Sequence, residues 1–120
     1  MVALVPLADA TQLDAMLQAG AGRRLLFLYD PYCPTNWNAR DALEELEEEV
    51  LVIDVAQQPE LGRLVQSRTG IRHESPQLLL CADGRAVWHA DHSRITAEAV
   101  TGALRALTTD PIASPANEPA

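Results

Sequence analysis

The 120-residue sequence predicts a single α/β domain: one mixed sheet with helices on both of its faces. Three observations predict it. Two dense apolar runs of strand length, residues 24–30 and 50–55, flank a helical pattern, as in a parallel βαβ unit. An Asp83-Gly84 pair separates two further strand-like stretches, the strongest short hairpin signal. The length suits one domain, large enough to bury a core without a disulfide or metal.

Residues 2–7 alternate weakly and read as a first strand. Leu13, Met16 and Leu17 follow at helical spacing, in a stripe that ends near Gly20 and Gly22. The run 24–30 is bounded by glycine before it and Asp30-Pro31 after it, which suits a strand buried on both faces. From Pro34 a long helical pattern keeps Trp37, Leu43 and Leu46 on one face, and Glu44, Glu45, Glu47, Glu48 and Glu49 read as its solvated side. Residues 50–55 form the next buried strand. Pro59 suits the first helical position, and Leu61, Leu64 and Val65 mark a helix stopped by Gly70. Residues 77–81 and 86–90 are the hairpin arms. Thr96 caps a last helix whose apolar face is Val100, Ala103, Leu104 and Leu107. The folded domain is thus expected over 1–107, with 108–120, rich in proline, as a disordered tail. The order β-α-β-α-β-α-β-β-α, a βαβ unit followed by a hairpin and a helix on one mixed sheet, describes a thioredoxin-like fold.

Composition narrows the function. The net charge is −8 and every basic residue is an arginine. So acidic a chain repels a polyphosphate backbone and an anionic membrane surface, so neither nucleic acid nor membrane is expected as a partner. The N-terminus lacks a basic region, and Pro6 and Asp9 interrupt its apolar run, which is unlike a signal peptide. No apolar stretch approaches the ~18 residues of a membrane span. The expected compartment is the cytosol, where thiols stay reduced. Two cysteines are too few for a disulfide framework or an all-thiolate zinc site. His73, His89 and His92 show no metal-ligand spacing, and no bound cofactor is expected.

The two cysteines have different surroundings. Cys33 falls between a buried strand and a helix, beside Pro34 at a position where a missing N–H costs nothing. Backbone N–H groups at a helix start favour an anion, which lowers a thiol pKa and exposes the nucleophilic thiolate. Thr35 and Asn36, on the first turn, are candidate hydrogen-bond donors to the sulfur, and Tyr32 and Trp37 candidate rim residues. Cys81 ends a leucine run on an interior strand and reads as an inert core thiol. A dithiol redox site would place its second cysteine at position 36, which is Asn36. Cys33 therefore depends on an external thiol to release any mixed disulfide it forms.

Ser75-Pro76 precedes the fourth strand. In this architecture that loop faces the helix carrying Cys33, and a cis bond there would leave the Ser75 backbone open to an extended ligand. Asp91-His92-Ser93-Arg94, just before the last helix, is a second loop of interest: Arg94 could hold a carboxylate and Asp91 could accept from an amine.

GIRHESPQLLL, the hairpin ADGRAVWHA and the following DHSRITAEAV together resemble the monothiol, thioredoxin-fold redox proteins of the bacillithiol system, the monothiol bacilliredoxin-like proteins. The likeness covers about residues 8–107. It implies thiol–disulfide exchange in the cytosol with bacillithiol, a cysteine-glucosamine-malate thiol, as co-substrate, and client proteins carrying mixed disulfides as partners. It implies Cys33 as nucleophile, Pro76 as the cis proline, and the His73, Glu74 and Ser75 loop as part of the small-thiol surface. A Cys-Pro-Ile-Ser-like site is expected of the family; here it reads Cys33-Pro34-Thr35-Asn36. A monomer is the favoured state. Three alternatives stay open at this point: a non-catalytic client-binding or thiol-sensing module, an arsenate-reductase-like enzyme that would use Arg40 and Arg94 around an oxyanion, and, last in order, iron–sulfur cluster carriage by a monothiol dimer.

Overall fold

The computed structural model describes residues 3–109. The chain runs β1 (Ala3–Pro6), α1 (Ala10–Met16), β2 (Arg23–Tyr29), α2 (Pro34–Leu43), β3 (Glu49–Asp54), α3 (Pro59–Thr69), β4 (Gln77–Ala82), β5 (Arg85–Asp91), a short 3-10 turn (His92–Arg94) and α4 (Ala97–Thr109). The five strands form one sheet in the order β1-β3-β2-β4-β5. β3 runs parallel to both β1 and β2. β4 is antiparallel to β2 and to β5. This is the mixed α/β sheet of the thioredoxin fold.

Strand periodicity divides the core into two layers. Leu25 and Phe27 of β2, Val50 of β3, and Leu78 and Leu80 of β4 point to one face, where Ala39 and Leu43 of α2 and Val100 of α4 cover them. Leu26, Leu28, Ile53, Leu79 and Cys81 point to the other, under Leu13 and Met16 of α1 and Leu61 and Val65 of α3. A strand buried on both faces must read as a continuous apolar run, which is why β2 and β4 stand out in the sequence.

The helix ends follow local chemistry. Asp9 caps α1, its carboxylate accepting from the Gln12 N–H at 3.0 Å, while Gln12 Oε1 reaches back to the Ala8 N–H at 2.8 Å. Gly70 ends α3 in the left-handed conformation, φ 75°. Thr96 Oγ1 accepts from the Ala99 N–H at 3.1 Å at the start of α4. Asp83 and Gly84 turn the hairpin with φ of 51° and 86°. A side chain at Gly84 would also meet the Gln18 backbone at 2.6 Å, so the turn docks on the end of α1.

Two expectations need correction. The helix after Cys33 stops at Leu43, and the glutamates expected along its solvated face instead form its end, a turn and the first residue of β3. A run of carboxylates at a helix C-terminus opposes the helix dipole, and the turn lets Leu46 reach the core, where it is buried. At the other end, α4 continues through Thr109, two residues past the expected boundary at 107. The expected tail from 110 onward lies outside the described residues.

Candidate active site

β2, the central strand, ends at Tyr29, and α2 begins just beyond it. The loop between them is closed by its own backbone. The Cys33 N–H donates to the Asp30 carbonyl at 3.1 Å, the Asn36 N–H to the Cys33 carbonyl at 2.9 Å, and the Tyr32 N–H to Asp30 Oδ1 at 2.9 Å. Cys33 is the N-cap of α2, extended at φ −109° and ψ 116°, with Pro34 directly after it. Its side chain makes no capping bond, and the sulfur stays partly exposed. Thr35 Oγ1 lies 3.1 Å from Sγ. That hydroxyl and then the Thr35 N–H hold the Cys33 pKa below the ordinary thiol value; burial opposes them weakly, and the side chain and N–H of Asn36 add to the lowering.

Asn36 is 1% exposed and does more than face the sulfur. Its Oδ1 accepts from the Asp30 N–H at 2.9 Å and from the Ser75 hydroxyl at 3.1 Å. One side chain thereby joins the end of β2, the first turn of α2 and the loop before β4. Its Nδ2 is buried without an oxygen or nitrogen partner. The position where a dithiol site would carry a second sulfur is filled by an amide that fixes the loops on both sides.

The Ser75–Pro76 bond is cis. Ser75 uses its hydroxyl on Asn36, and among the described residues its N–H and C=O are not taken up by another backbone group. Tyr32, 76% exposed, and Trp37, 46% exposed, stand at the surface beside Cys33 in sequence; the Trp37 indole donates to the Pro31 carbonyl at 2.8 Å.

Other predicted residues are placed differently. The His73 ring packs on Gly62 of α3, and the His73 backbone N–H donates to Gln66 Oε1 at 2.6 Å, so the residue braces the loop against α3. Glu74 bridges the loops on the two sides: Oε1 lies 3.0 Å from His92 Nε2, and Oε2 lies 3.7 Å from Arg72 Nε. His92 is held at φ 55°, left-handed for a residue with a side chain, with its N–H on the Pro76 carbonyl at 3.0 Å. Asp91, expected to meet an amine, has Oδ1 engaged by the buried Gln77 amide at 3.0 Å, which ties β5 to β4. Arg94 is exposed on the 3-10 turn. Arg40 lines a separate small cavity with Phe27, Tyr29 and Val52. Nothing thus brings Arg40 and Arg94 together at the sulfur, as an oxyanion site would require.

A groove of about 580 Å³ runs between α2 and the segment from the 3-10 turn to α4. Thr35, Asn38, Ala39 and Ala42 form one wall, at the spacing of a single helix face, and His92, Ser93 and Ile95–Glu98 the other. Thr35 belongs both to the groove and to the sulfur's shell, so the groove opens beside Cys33. Sequence reading found Thr35, His92 and Ser93 but missed the rest. The small and polar residues at 35, 38, 39 and 42 were the available signal. Among the described residues there is no group of three His, Cys, Asp or Glu able to hold a metal, and no helix is long and apolar enough to cross a membrane.

Comparison with known proteins gives the same fold. A protein described as a candidate oxidoreductase with a thioredoxin fold superposes with a TM-score of 0.77 at 24% identity, over 84% of this chain and 93% of that one. A mutant thioredoxin from Halobacterium salinarum gives 0.67 at 21% identity, over 92% and 94%. Fasciola hepatica thioredoxin gives 0.60 at 17%, over 88% and 97%. The family model described as monothiol bacilliredoxin BrxC matches residues 5–100. With a lone thiol at the start of α2, on this fold and across that length of match, the chain belongs to the monothiol bacilliredoxin family and has a thiol redox function.

Proposed function

We propose that this protein removes a low-molecular-weight thiol, bacillithiol, from client-protein cysteines in the cytosol. The observation that carries the reading is Cys33 at the head of α2, partly exposed, with Thr35 Oγ1 at 3.1 Å and Asn36 where a second thiol would stand. The Cys33 thiolate attacks the small-thiol sulfur of a client mixed disulfide. A new disulfide forms between Cys33 and the small thiol, and the client cysteine leaves with the bonding pair and takes up a proton. A second small-thiol molecule, as thiolate, then attacks the sulfur bound to Cys33. Cys33 is released, and the two small thiols depart as their disulfide.

The site's parts divide this work. Thr35 and the first N–H groups of α2 stabilise the Cys33 thiolate both as nucleophile and as the group expelled in the second step. The open Ser75 backbone offers an edge to an extended thiol chain. Asn36 positions both loops and keeps the site from closing an internal disulfide. No bound cofactor is required, and a monomer suffices.

Intact mass after incubation with bacillithiol disulfide tests this. One bacillithiol adduct is expected on the wild type and on Cys81→Ser, and none on Cys33→Ser. An adduct on Cys33→Ser that is missing from Cys81→Ser would overturn the assignment. Failure of Cys33 to react with any small disulfide would instead leave a client-binding or thiol-sensing module.

A further inference from the structure

The groove beside Cys33 has a charge that the exchange chemistry does not call for. Its ionisable lining groups are Glu45, Glu98 and His92. Both glutamates are exposed, and among the described residues neither is ion-paired. None of the nine arginines lines it. His92, the lining residue able to turn positive, already faces the Glu74 carboxylate at 3.0 Å. Nor is the start of α4 open to an anion: the Thr96 hydroxyl occupies the Ala99 N–H, and Glu98 sits in the first turn. Both walls also carry apolar residues: Ala39 and Ala42 on one, Ile95 and Ala97 on the other.

Its length suits a short peptide. From Thr35 to Ala42 is seven helical steps, about 10 Å, which an extended chain covers in about three residues. A peptide whose sulfur is at Cys33 would bring its neighbouring side chains past Glu45 and Glu98.

We infer that the groove receives a positively charged segment of the client protein next to its modified cysteine, with Glu45 and Glu98 selecting it. This rests on the exchange reading above and adds the class of client to it. Opposite charges across the groove favour such clients and disfavour acidic ones through like-charge repulsion.

The experiment uses two sets of short peptides on the full chain at low salt. In the first, a cysteine held as its mixed disulfide with neutral 2-mercaptoethanol is flanked on each side by three arginines, three glutamines or three glutamates. Cys33 takes the mercaptoethanol and the peptide leaves as a free thiol, so release rates read exchange. In the second, serine replaces the cysteine and fluorescence anisotropy reads docking alone. Arginine flanks should exceed glutamine flanks about fivefold in both, the size expected of two exposed ion pairs. The preference should vanish in Glu45→Gln/Glu98→Gln and persist in Asp41→Asn/Glu60→Gln, which removes the same charge outside the groove. Equal docking of all three serine peptides, or a preference that survives Glu45→Gln/Glu98→Gln, overturns the inference. If the preference in docking holds but no peptide is released, the exchange reading falls and the docking assignment stands.

Discussion

Cys33 and Cys81 lie in one small domain and differ in every property that governs a thiol. Cys33 is outside the sheet, partly exposed, at the start of a helix whose first residues lower its pKa. Cys81 is inside β4, fully buried in the layer under α1 and α3, and burial pushes its pKa up to about 11. Residue type decides neither outcome. Reactivity follows from the polar groups that meet the sulfur, and a β-strand interior supplies none.

The sharpest way to break this contrast is to exchange the roles. Cys33→Ser should lower exchange with small disulfides by ~1000-fold or more, while Cys81→Ser should stay within about twofold of wild type, read by intact mass over time. A comparable loss in both variants would place Cys81 in the chemistry.

Alkylation of the native protein measures the contrast directly. At about pH 8, a thiol with a pKa near 11 is roughly one part in a thousand thiolate, so iodoacetamide should label Cys33 at least ~100-fold faster than Cys81. Unfolding the protein should erase the difference.

Asn36→Ala probes why the Cys33 side is ordered. It leaves the Asp30 N–H and the Ser75 hydroxyl without their acceptor, and should cost about 2 kcal/mol of stability in urea titrations. The same variant should slow exchange, since both loops flanking the sulfur lose their tie. Unchanged stability would mean that Asn36 is not the bracket described.

Two smaller effects follow from the pKa directions. Thr35→Val should raise the Cys33 pKa toward the ordinary thiol value and slow its alkylation about three- to tenfold at neutral pH, with Thr35→Ser restoring it. Above the ordinary thiol pKa the two rates should converge, because both thiols are then ionised. For Cys81 the sign is opposite. Its folded pKa is raised, so its contribution to stability is complete below the unfolded value near 9 and is lost as pH rises toward 11. Wild type should therefore lose about 2 kcal/mol more than Cys81→Ala across that window.

The contrast was readable early because it rests on local signals. Leu25–Leu28 and Leu78–Cys81 are buried on both faces and read as continuous apolar runs, which placed Cys81 in the core. Pro34 after Cys33 marked a helix start, and Asp83-Gly84 marked the hairpin. The acidic run misled, because helical spacing of Leu43 and Leu46 looks continuous while the chain turns between them to return to β3.

The sequence alone determined the fold class, the unequal cysteines and the missing thiol at position 36, since each depends on neighbours a few residues apart. Only the tertiary structure decided that Asn36 joins Asp30 to Ser75, that Asp91 is taken up by Gln77, and that Thr35 opens onto a groove carrying Glu45 and Glu98. Those contacts join residues from six to more than sixty positions apart. They exist because the sheet order β1-β3-β2-β4-β5, with β4 antiparallel to β2, brings the end of β2, the loop before β4 and the segment leading into α4 to one end of the strands. Helical and strand periods carry no trace of that proximity.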